Sequence, residues 1–122
     1  MPAEQTMVVN NISATTLVNS NYRQVLYTGK FQLVLMSLKP TEEIGLEIHA
    51  DHDQFFRLEA GTAMAIVNGK EYELNADDAL VVPAGAEHNI INTGQDSLKL
   101  YTIYAPAQHP AGTVQATKPA ND

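Results

Sequence analysis

Between Tyr22 and Tyr104 the sequence is a series of short apolar or alternating runs, and this pattern constrains the fold more than any other feature. The runs are rich in Val, Ile, Leu, Phe and Tyr, and Gly, Pro, Asn and Asp interrupt them at close intervals, as turns interrupt strands. No stretch shows a sustained helical period. Many short strands in one chain predict an all-β sandwich or barrel. The candidate strands are Gln24–Tyr27, Phe31–Leu38, Ile44–Ala50, Gln54–Ala60, Thr62–Val67, Lys70–Leu74, Ala79–Val82, His88–Asn92 and Leu98–Tyr104.

A chain of 122 residues has the length of one domain with one hydrophobic core. We expect an N-terminal arm over residues 1–21, a barrel over residues 22–105 and an extended C-terminal tail over residues 106–122. The first residues have neither the basic nor the apolar region of a secretion signal, and no apolar run reaches the about 20 residues that cross a bilayer. We therefore expect a cytoplasmic protein that binds no membrane.

Charge and cysteine content exclude several kinds of site. The 14 acidic residues outnumber the 7 basic ones, for a net charge of −7. Without a cluster of Lys or Arg to neutralise phosphates, the chain is not expected to bind nucleic acid. The absence of cysteine excludes disulfides, thiolate zinc sites and cysteine nucleophiles. We expect a small organic molecule or another protein chain as the binding partner, and imidazole, carboxylate and amide groups as the ligands of any metal.

The dipeptide Asn68-Gly69 predicts a two-residue hairpin, because both residues accept the positive φ angles of a type I′ turn. The register that follows pairs Ala65 with Tyr72 on one face of the hairpin and turns Glu71 to the other. We expect the face with Ala65 and Tyr72 to line the core.

The run Phe31–Leu38 is apolar on both faces, so its outer face should also be covered. A partner subunit could cover it, or the N-terminal segment with Ile12, Leu17 and Val18 could fold back over it. The residues favour neither alternative. We expect a homodimer.

Polar side chains alternate along the segment Ile44–His49. A period of two places Glu47 and His49 on one side, and Ile44 and Ile48 on the other. Taken alone, such a stripe more often faces water than binds a metal. If Gln54 points to the side of His49, however, it begins a strand whose inner face continues with the apolar Phe56. A buried amide needs a partner, so this arrangement favours a polar site.

A second polar position follows the turn Pro83–Gly85. The strand after this turn places His88, Ile90 and Asn92 on one face. A single histidine in such a place is more often a solvated or hydrogen-bonded residue than a metal ligand.

Together, these two segments resemble the cupin family. The second motif of that family, G-x5-P-x-G-x2-H-x3-N, is matched here at Pro83, Gly85, His88 and Asn92, and Asp77 stands where the leading glycine is usual.

The first cupin motif, G-x5-H-x-H-x3–4-E-x6-G, is matched less completely. Gly61 corresponds to its last glycine, and counting back puts Gln54 at the position of the glutamate. His49 then occupies the position of the second histidine and Glu47 that of the first. Two of the four ligand types are therefore exchanged, but the set still contains one carboxylate.

The resemblance covers roughly residues 30–105 and implies an all-β fold, the double-stranded β-helix or jelly-roll barrel of a single cupin domain. It also implies one divalent metal ion inside the barrel, held by Glu47, His49, Gln54 and His88. Such nitrogen and oxygen ligands suit Zn, Mn, Fe, Co or Ni.

Other residues compete for roles in this site. His52 and Asp53 are better metal ligands in principle than Gln54, but they lie in a tight connection where side chains more often point to solvent. His109 lies in the Pro-containing tail, either as a structural residue or close to the mouth of the barrel. The candidate pocket residues, each of which could equally be barrel core, are Phe56, Ile90, Tyr101 and Tyr104.

The sequence thus predicts a metal-dependent cupin that binds or transforms a small organic molecule, by activating dioxygen or by chelating the substrate for cleavage or isomerisation. A non-catalytic module that binds a sugar or a partner protein is the first alternative. A sugar-phosphate isomerase is the second, but it needs a cation to bind the phosphate. Arg57 is predicted to point outward, and the lysines fall at turns or on outer faces.

Overall fold

The structure, a computed structural model, describes residues 10–120, which form one short helix and ten strands. None of the helical structure in this range is long and apolar enough to cross a membrane. The elements are α1 (Ile12–Val18), β1 (Arg23–Thr28), β2 (Gln32–Leu38), β3 (Glu47–Ile48), β4 (Gln54–Ala60), β5 (Thr62–Val67), β6 (Lys70–Asn75), β7 (Ala79–Val82), β8 (Glu87–Asn92), β9 (Leu98–Tyr104) and β10 (Val114–Gln115).

The strands form two antiparallel sheets with the orders β10-β1-β2-β9-β4-β7 and β3-β8-β5-β6. Alternate residues of each strand point between the sheets, where they form one hydrophobic core. Core residues with no exposed surface include Val34, Phe56, Leu58, Ile90 and Leu100. The predicted all-β jelly-roll barrel is confirmed.

The tail contributes a strand that the sequence did not predict. Val114 and Gln115 pair with Gln24 and Arg23 at the edge of the larger sheet. Two residues are too few to show a strand pattern in the sequence, and the open edge of β1 supplies their hydrogen-bond partners.

Strand β3 is shorter than predicted, because the chain bends at Gly45. This residue has a φ of 109°, and its N–H donates to the side-chain oxygen of Asn89 at 2.9 Å instead of to a strand neighbour. The bend turns Ile44 into the core, where it is 7% exposed, whereas Ile48 is 58% exposed. The prediction that both isoleucines share one face was wrong.

The hairpin between β5 and β6 has the predicted turn and register. Asn68 and Gly69 have φ angles of 51° and 79°, and Ala65 pairs with Tyr72. Tyr72 is nevertheless 45% exposed, because β6 is the edge strand of its sheet. The expectation that Tyr72 lines the core was therefore wrong, although Leu74 on the same face is buried.

Helix α1 packs on the outer face of the larger sheet, against β9 and β4. The side chain of Asn11 caps the helix by accepting from the N–H of Ala14, and the Ser13 hydroxyl donates to Glu59 in β4 at 2.9 Å. Leu17 and Val18, which would provide apolar cover for β2 in the second of the two alternatives, are 43% and 79% exposed. The N-terminal segment thus folds back onto the barrel, and the homodimer remains a prediction.

Candidate metal centre

Strands β3 and β8 bring the polar residues of the two motif segments together. Glu47 and His88 are direct neighbours across these strands. One possible ligand atom from each of Glu47, His49 and His88 lies within 4.8 Å of the other two. The Glu47 Oε1 atom is 3.8 Å from His49 Nε2 and 4.0 Å from His88 Nε2. These three residues are close enough to hold one metal ion.

Two hydrogen bonds between the motif segments keep these residues close. The turn Pro83–Gly85 is closed by the N–H of Ala86, which donates to the Pro83 carbonyl at 3.1 Å. Within it, Gly85 donates its N–H to the His49 carbonyl at 2.8 Å, and Ala84 donates to the carboxylate of Asp53 at 2.8 Å. The connection that follows His49 is therefore hydrogen-bonded to the turn that precedes His88.

The polar side of β3 faces the barrel interior and its apolar side faces solvent, the reverse of an ordinary amphipathic strand. Leu46 and Ile48 are 63% and 58% exposed. The side chains of Glu47, His49 and His88 are 36%, 17% and 2% exposed. The exposure of the three side chains thus decreases from Glu47, at the mouth of the barrel, to His88, in its interior.

Hydrogen bonds fix the orientation of the buried Gln54 amide. The Thr102 hydroxyl donates to the Phe55 carbonyl at 2.8 Å, so it can only accept from Gln54 Nε2, at 2.9 Å. The other end of the amide, Oε1, therefore faces His88 Nε2 at 3.2 Å.

His88 turns its Nε2 toward this oxygen. Its Nδ1 lies 3.1 Å from the Ala86 carbonyl, which only accepts, so the tautomer that fits this contact has its proton on Nδ1 and leaves Nε2 unprotonated. The unshared pair of Nε2 and the oxygen of Gln54 then face each other as two acceptors, an arrangement that repels. A cation bound between them would turn this repulsion into attraction.

His49 also offers a nitrogen for a cation. Its Nε2 is buried and has no hydrogen-bond partner within residues 10–120. Burial lowers the pKa of His49 from its ordinary 6.5, and the neighbouring His52 and His88 lower it further. The ring is therefore held in the neutral form that binds metals. With Glu47 as carboxylate, the donors fit a divalent ion that accepts nitrogen and oxygen ligands.

The two rival ligands lie in different surroundings. Asp53 is exposed, as expected, and is occupied by its bond to Ala84. His52 was expected to point to solvent, which is wrong, because it is only 6% exposed and its ring stacks on His49 at 4.6 Å. A run of polar residues in a connection gave no sign that one of them turns inward.

The four candidate pocket residues separate into inner and outer positions. Phe56 and Ile90 are fully buried in the core, and the ring of Phe56 lies 6.1 Å from that of His88. Tyr101 faces outward, where its ring lies 6.3 Å from that of Phe55. The pocket interpretation of Tyr101 was wrong, because the inner face of β9 carries the even-numbered residues.

Tyr104 is the pocket candidate that lies beside the candidate ligands. It is 5% exposed, and its ring meets that of His49 edge-on at 6.1 Å. Burial raises the pKa of its phenol, and the charge of Glu47 adds to this effect, so the hydroxyl keeps its proton. His109 packs its ring 5.7 Å from Tyr104, and its backbone N–H donates to Gln32 at 3.1 Å. The tail therefore passes close to the mouth of the barrel.

Arg23 is a buried cation that the sequence pattern did not identify. Arg23 is 5% exposed, and its Cζ lies 5.2 Å from the ring centroid of Tyr22. Its charge lowers the pKa of Tyr104 against the larger, raising effect of burial. Arg57 does lie on the outer face, 3.1 Å from Asp77. Arg57 therefore points away from a phosphate bound inside the barrel, as predicted. Arg23 is a buried cation to which this exclusion does not apply.

Thr102 is a further residue that the sequence analysis missed. It lies between Leu100 and Tyr104 on the inner face of β9, and a hydroxyl at an inner position was the signal that could have identified it. We expect Thr102→Val to lower metal affinity roughly 10–100-fold, because the amide of Gln54 loses the acceptor that orients it. Thr102→Ser retains the hydroxyl and should bind as the natural chain does.

A competition titration against a chromophoric chelator measures both affinities. Equal affinity in Thr102→Val and Thr102→Ser would contradict a role for the Gln54 oxygen in metal binding.

The comparisons with known proteins agree with this fold. A family model described as a cupin domain matches residues 34–104. The uncharacterized protein YrkC of Bacillus subtilis (strain 168) is 50% identical over 117 residues, an alignment that covers 90% of this chain and 63% of YrkC. The uncharacterized protein L612 of Acanthamoeba polyphaga mimivirus is 47% identical, with coverage of 91% and 72%. This chain thus spans less than two thirds of YrkC.

Among solved structures, the crystal structure of BH2720 from Bacillus halodurans superimposes with a TM-score of 0.89 and 42% sequence identity. The match covers 93% of this chain and 92% of that one. Fold and size are therefore shared along nearly the whole length of both chains.

Proposed function

This chain belongs to the family of cupin domains, and from that premise we propose that it binds one divalent metal ion to hold or transform a small organic molecule. The proposed ligands are Glu47, His49, Gln54 and His88. The observation that carries the proposal is the group of Glu47, His49 and His88, whose possible ligand atoms lie within 4.8 Å of one another, with Gln54 Oε1 a further 3.2 Å contact of His88 Nε2. The carbonyl of Ala86 and the hydroxyl of Thr102 hold these two atoms in that relation.

The charges of the four side chains support a divalent ion. Glu47 supplies one negative charge, and Gln54, His49 and His88 are neutral donors. In the usual cupin pattern the carboxylate stands at the position of Gln54, so here it has moved to the more exposed position of Glu47. The shell keeps its single negative charge, and its charged member now lies at the mouth.

The exposure gradient supports access of a ligand from the side of Glu47. His88 and Gln54 are 1% and 2% exposed and approach the site from inside the barrel. Glu47 has a side chain that is 36% exposed. Protein donors on the inner side leave the outer side for water or an organic ligand, as in sites that act on bound molecules.

A divalent ion held here would supply Lewis-acid or oxygen-activating chemistry. The chain itself lowers the pKa of His49, which favours its neutral form, and holds the amide of Gln54 in one orientation. It also contributes the protonated hydroxyl of Tyr104, which forms a hydrogen bond with Gln54 beside His49. The large buried side chains of Phe56 and Ile90 keep water from the inner side.

Reconstitution with Co²⁺ tests the proposal. We expect the metal-stripped protein to bind one equivalent with absorption bands in the visible range, because nitrogen and oxygen donors impose a defined ligand field. A small chelating acid such as glycolate should then shift these bands if coordination positions are open. A bound ion with unchanged bands would favour the non-catalytic module, and failure to bind Co²⁺ would refute the proposal.

A further inference from the structure

We propose that His52 is a specificity-determining residue of this site, whose Nε2 accepts a hydrogen bond from a hydroxyl group of the organic ligand. The inference rests on the proposed function, since the ligand is taken to bind beside Glu47, His49 and His88. The ligand class that it predicts is a small chelating molecule with a free hydroxyl group, such as a 2-hydroxy acid.

The first support is the burial of His52 within an exposed connection. Its side chain is 3% exposed, whereas that of the preceding Asp51 is 82% exposed. Asp53, on the other side, is also exposed. The chain therefore turns one imidazole inward from a segment whose other polar side chains face solvent.

The second support is the proton arrangement of the ring. His52 Nδ1 lies 2.9 Å from the carboxylate oxygen of Asp51, which accepts and does not donate. The tautomer that fits this contact has its proton on Nδ1, and in that tautomer Nε2 keeps its unshared pair. Because the two nitrogens lie on opposite sides of the ring, a Nδ1 that points to exposed Asp51 leaves Nε2 pointing inward.

The third support is that this inward nitrogen is not satisfied by the protein. Nε2 of His52 is buried and finds no hydrogen-bond partner in the described part of the chain. Buried acceptors in native proteins are nearly always paired, so an unpaired one needs an explanation. A hydroxyl group of a bound ligand would supply the missing donor.

The position of the His52 ring indicates that the ligand it contacts is one bound to the metal ion. His52 stacks on His49 with ring centroids 4.6 Å apart and an interplanar angle of 30°. Its other neighbour is Tyr104, which it meets edge-on at 6.3 Å. The ring thus extends the wall formed by a proposed metal ligand, and it is not a member of the three-residue group close enough to hold the ion. A molecule bound to the ion would lie within reach of this wall.

These contacts predict a particular chemical preference. An acceptor beside the cation favours a molecule that chelates the ion and whose hydroxyl group donates a hydrogen bond. A methyl ether of the same molecule still chelates but cannot donate. The site should therefore distinguish glycolate from methoxyacetate, and His52 should be the cause.

The test compares the two probes in the natural chain and in His52→Phe, which keeps the stacked ring and removes both nitrogens. Binding to the Co²⁺-loaded proteins is followed by the change in visible absorption. We expect the preference for glycolate over methoxyacetate to be roughly 10-fold larger in the natural chain, about the effect of one buried hydrogen bond. His52→Gln, which restores an acceptor near the position of Nε2, should recover part of the preference.

Metal content measured on the same samples separates this inference from the proposed function. We expect His52→Phe to bind one equivalent of Co²⁺, like the natural chain. Loss of the metal in this variant would overturn the inference, because His52 would then support the ion and not the ligand. An unchanged preference in His52→Phe, or no binding of glycolate to the loaded natural chain, would also overturn it. A natural chain that binds no Co²⁺ would overturn the proposed function, and the inference with it.

Discussion

Glu47→Ala and His88→Ala should each lower the affinity for a divalent metal by at least about 100-fold, since even partners outside the coordination shell contribute 10–100-fold. Glu47 is the one charged ligand in the proposed set, and His88 is the ligand held deepest in the barrel. Elemental analysis after dialysis should find about one equivalent in the natural chain and background levels in both variants.

Two controls distinguish loss of a ligand from loss of charge or fold. Glu71→Ala removes the same charge from an exposed position in β6, outside the group that could hold the ion, and should keep the metal. Glu47→Gln keeps the shape of the side chain and should lose affinity without a change in the circular dichroism spectrum. Unchanged metal content in both Glu47→Ala and His88→Ala would refute the site assignment.

Phe56→Ala should lower the free energy of unfolding by about 3–5 kcal/mol, the usual cost of emptying the space of a buried phenylalanine. The side chain has no exposed surface and lies in the middle of the core next to His88. Domains of this size have about 5–15 kcal/mol of stability, so the variant would lose a large part of it. Urea denaturation of the metal-free protein measures the loss, and the melting temperature should fall by roughly 10–20 °C.

The neighbouring Phe55 provides a matched comparison on the opposite face of the same strand. It is half-buried and packs against Tyr101 on the outside of the sheet. Phe55→Ala should therefore cost clearly less than Phe56→Ala, about 1–2 kcal/mol, because truncating a partly exposed side chain leaves no closed cavity. Equal losses in the two variants would contradict the assignment of inner and outer faces in β4.

The exchange of ligand types changes where the negative charge of the proposed site lies. A carboxylate at Glu47 and an amide at Gln54 reverse the arrangement in which the carboxylate lies further along the chain. The amide is held by a neutral hydroxyl, Thr102, and needs no counter-ion in the core. The charge instead lies at the partly exposed end of the site, where desolvation costs less.

Much of the fold could be predicted because strand patterns are local. Strands β4, β5, β7 and β9 begin and end at the predicted residues. The turn at Asn68-Gly69 fixed the pairing of β5 with β6, since a two-residue hairpin allows only one register. Asp77, which stands where the cupin motif has glycine, adopts a φ of 75°, so the backbone keeps the conformation that the glycine normally provides.

The errors arose where a contact between distant segments overrides the local pattern. Gly45 donates to the side chain of Asn89, and this bond ends the regular alternation that was assumed for Ile44. His52 turns inward, where its ring meets that of Tyr104 in β9 edge-on at 6.3 Å. Neither contact can be inferred from neighbouring residues along the chain.

The sequence by itself determined the β-strands, the turn types and the residue types that could bind a metal, because these depend on backbone preferences and on side-chain chemistry over a few residues. Only the tertiary structure decided that the polar side of β3 faces inward, that Gln54 turns its oxygen toward His88, and that His52 is buried beside them. The physical reason is that burial and hydrogen-bond partners belong to the closed barrel: an acceptor is satisfied or left unpaired by atoms from strands that are far apart in the chain.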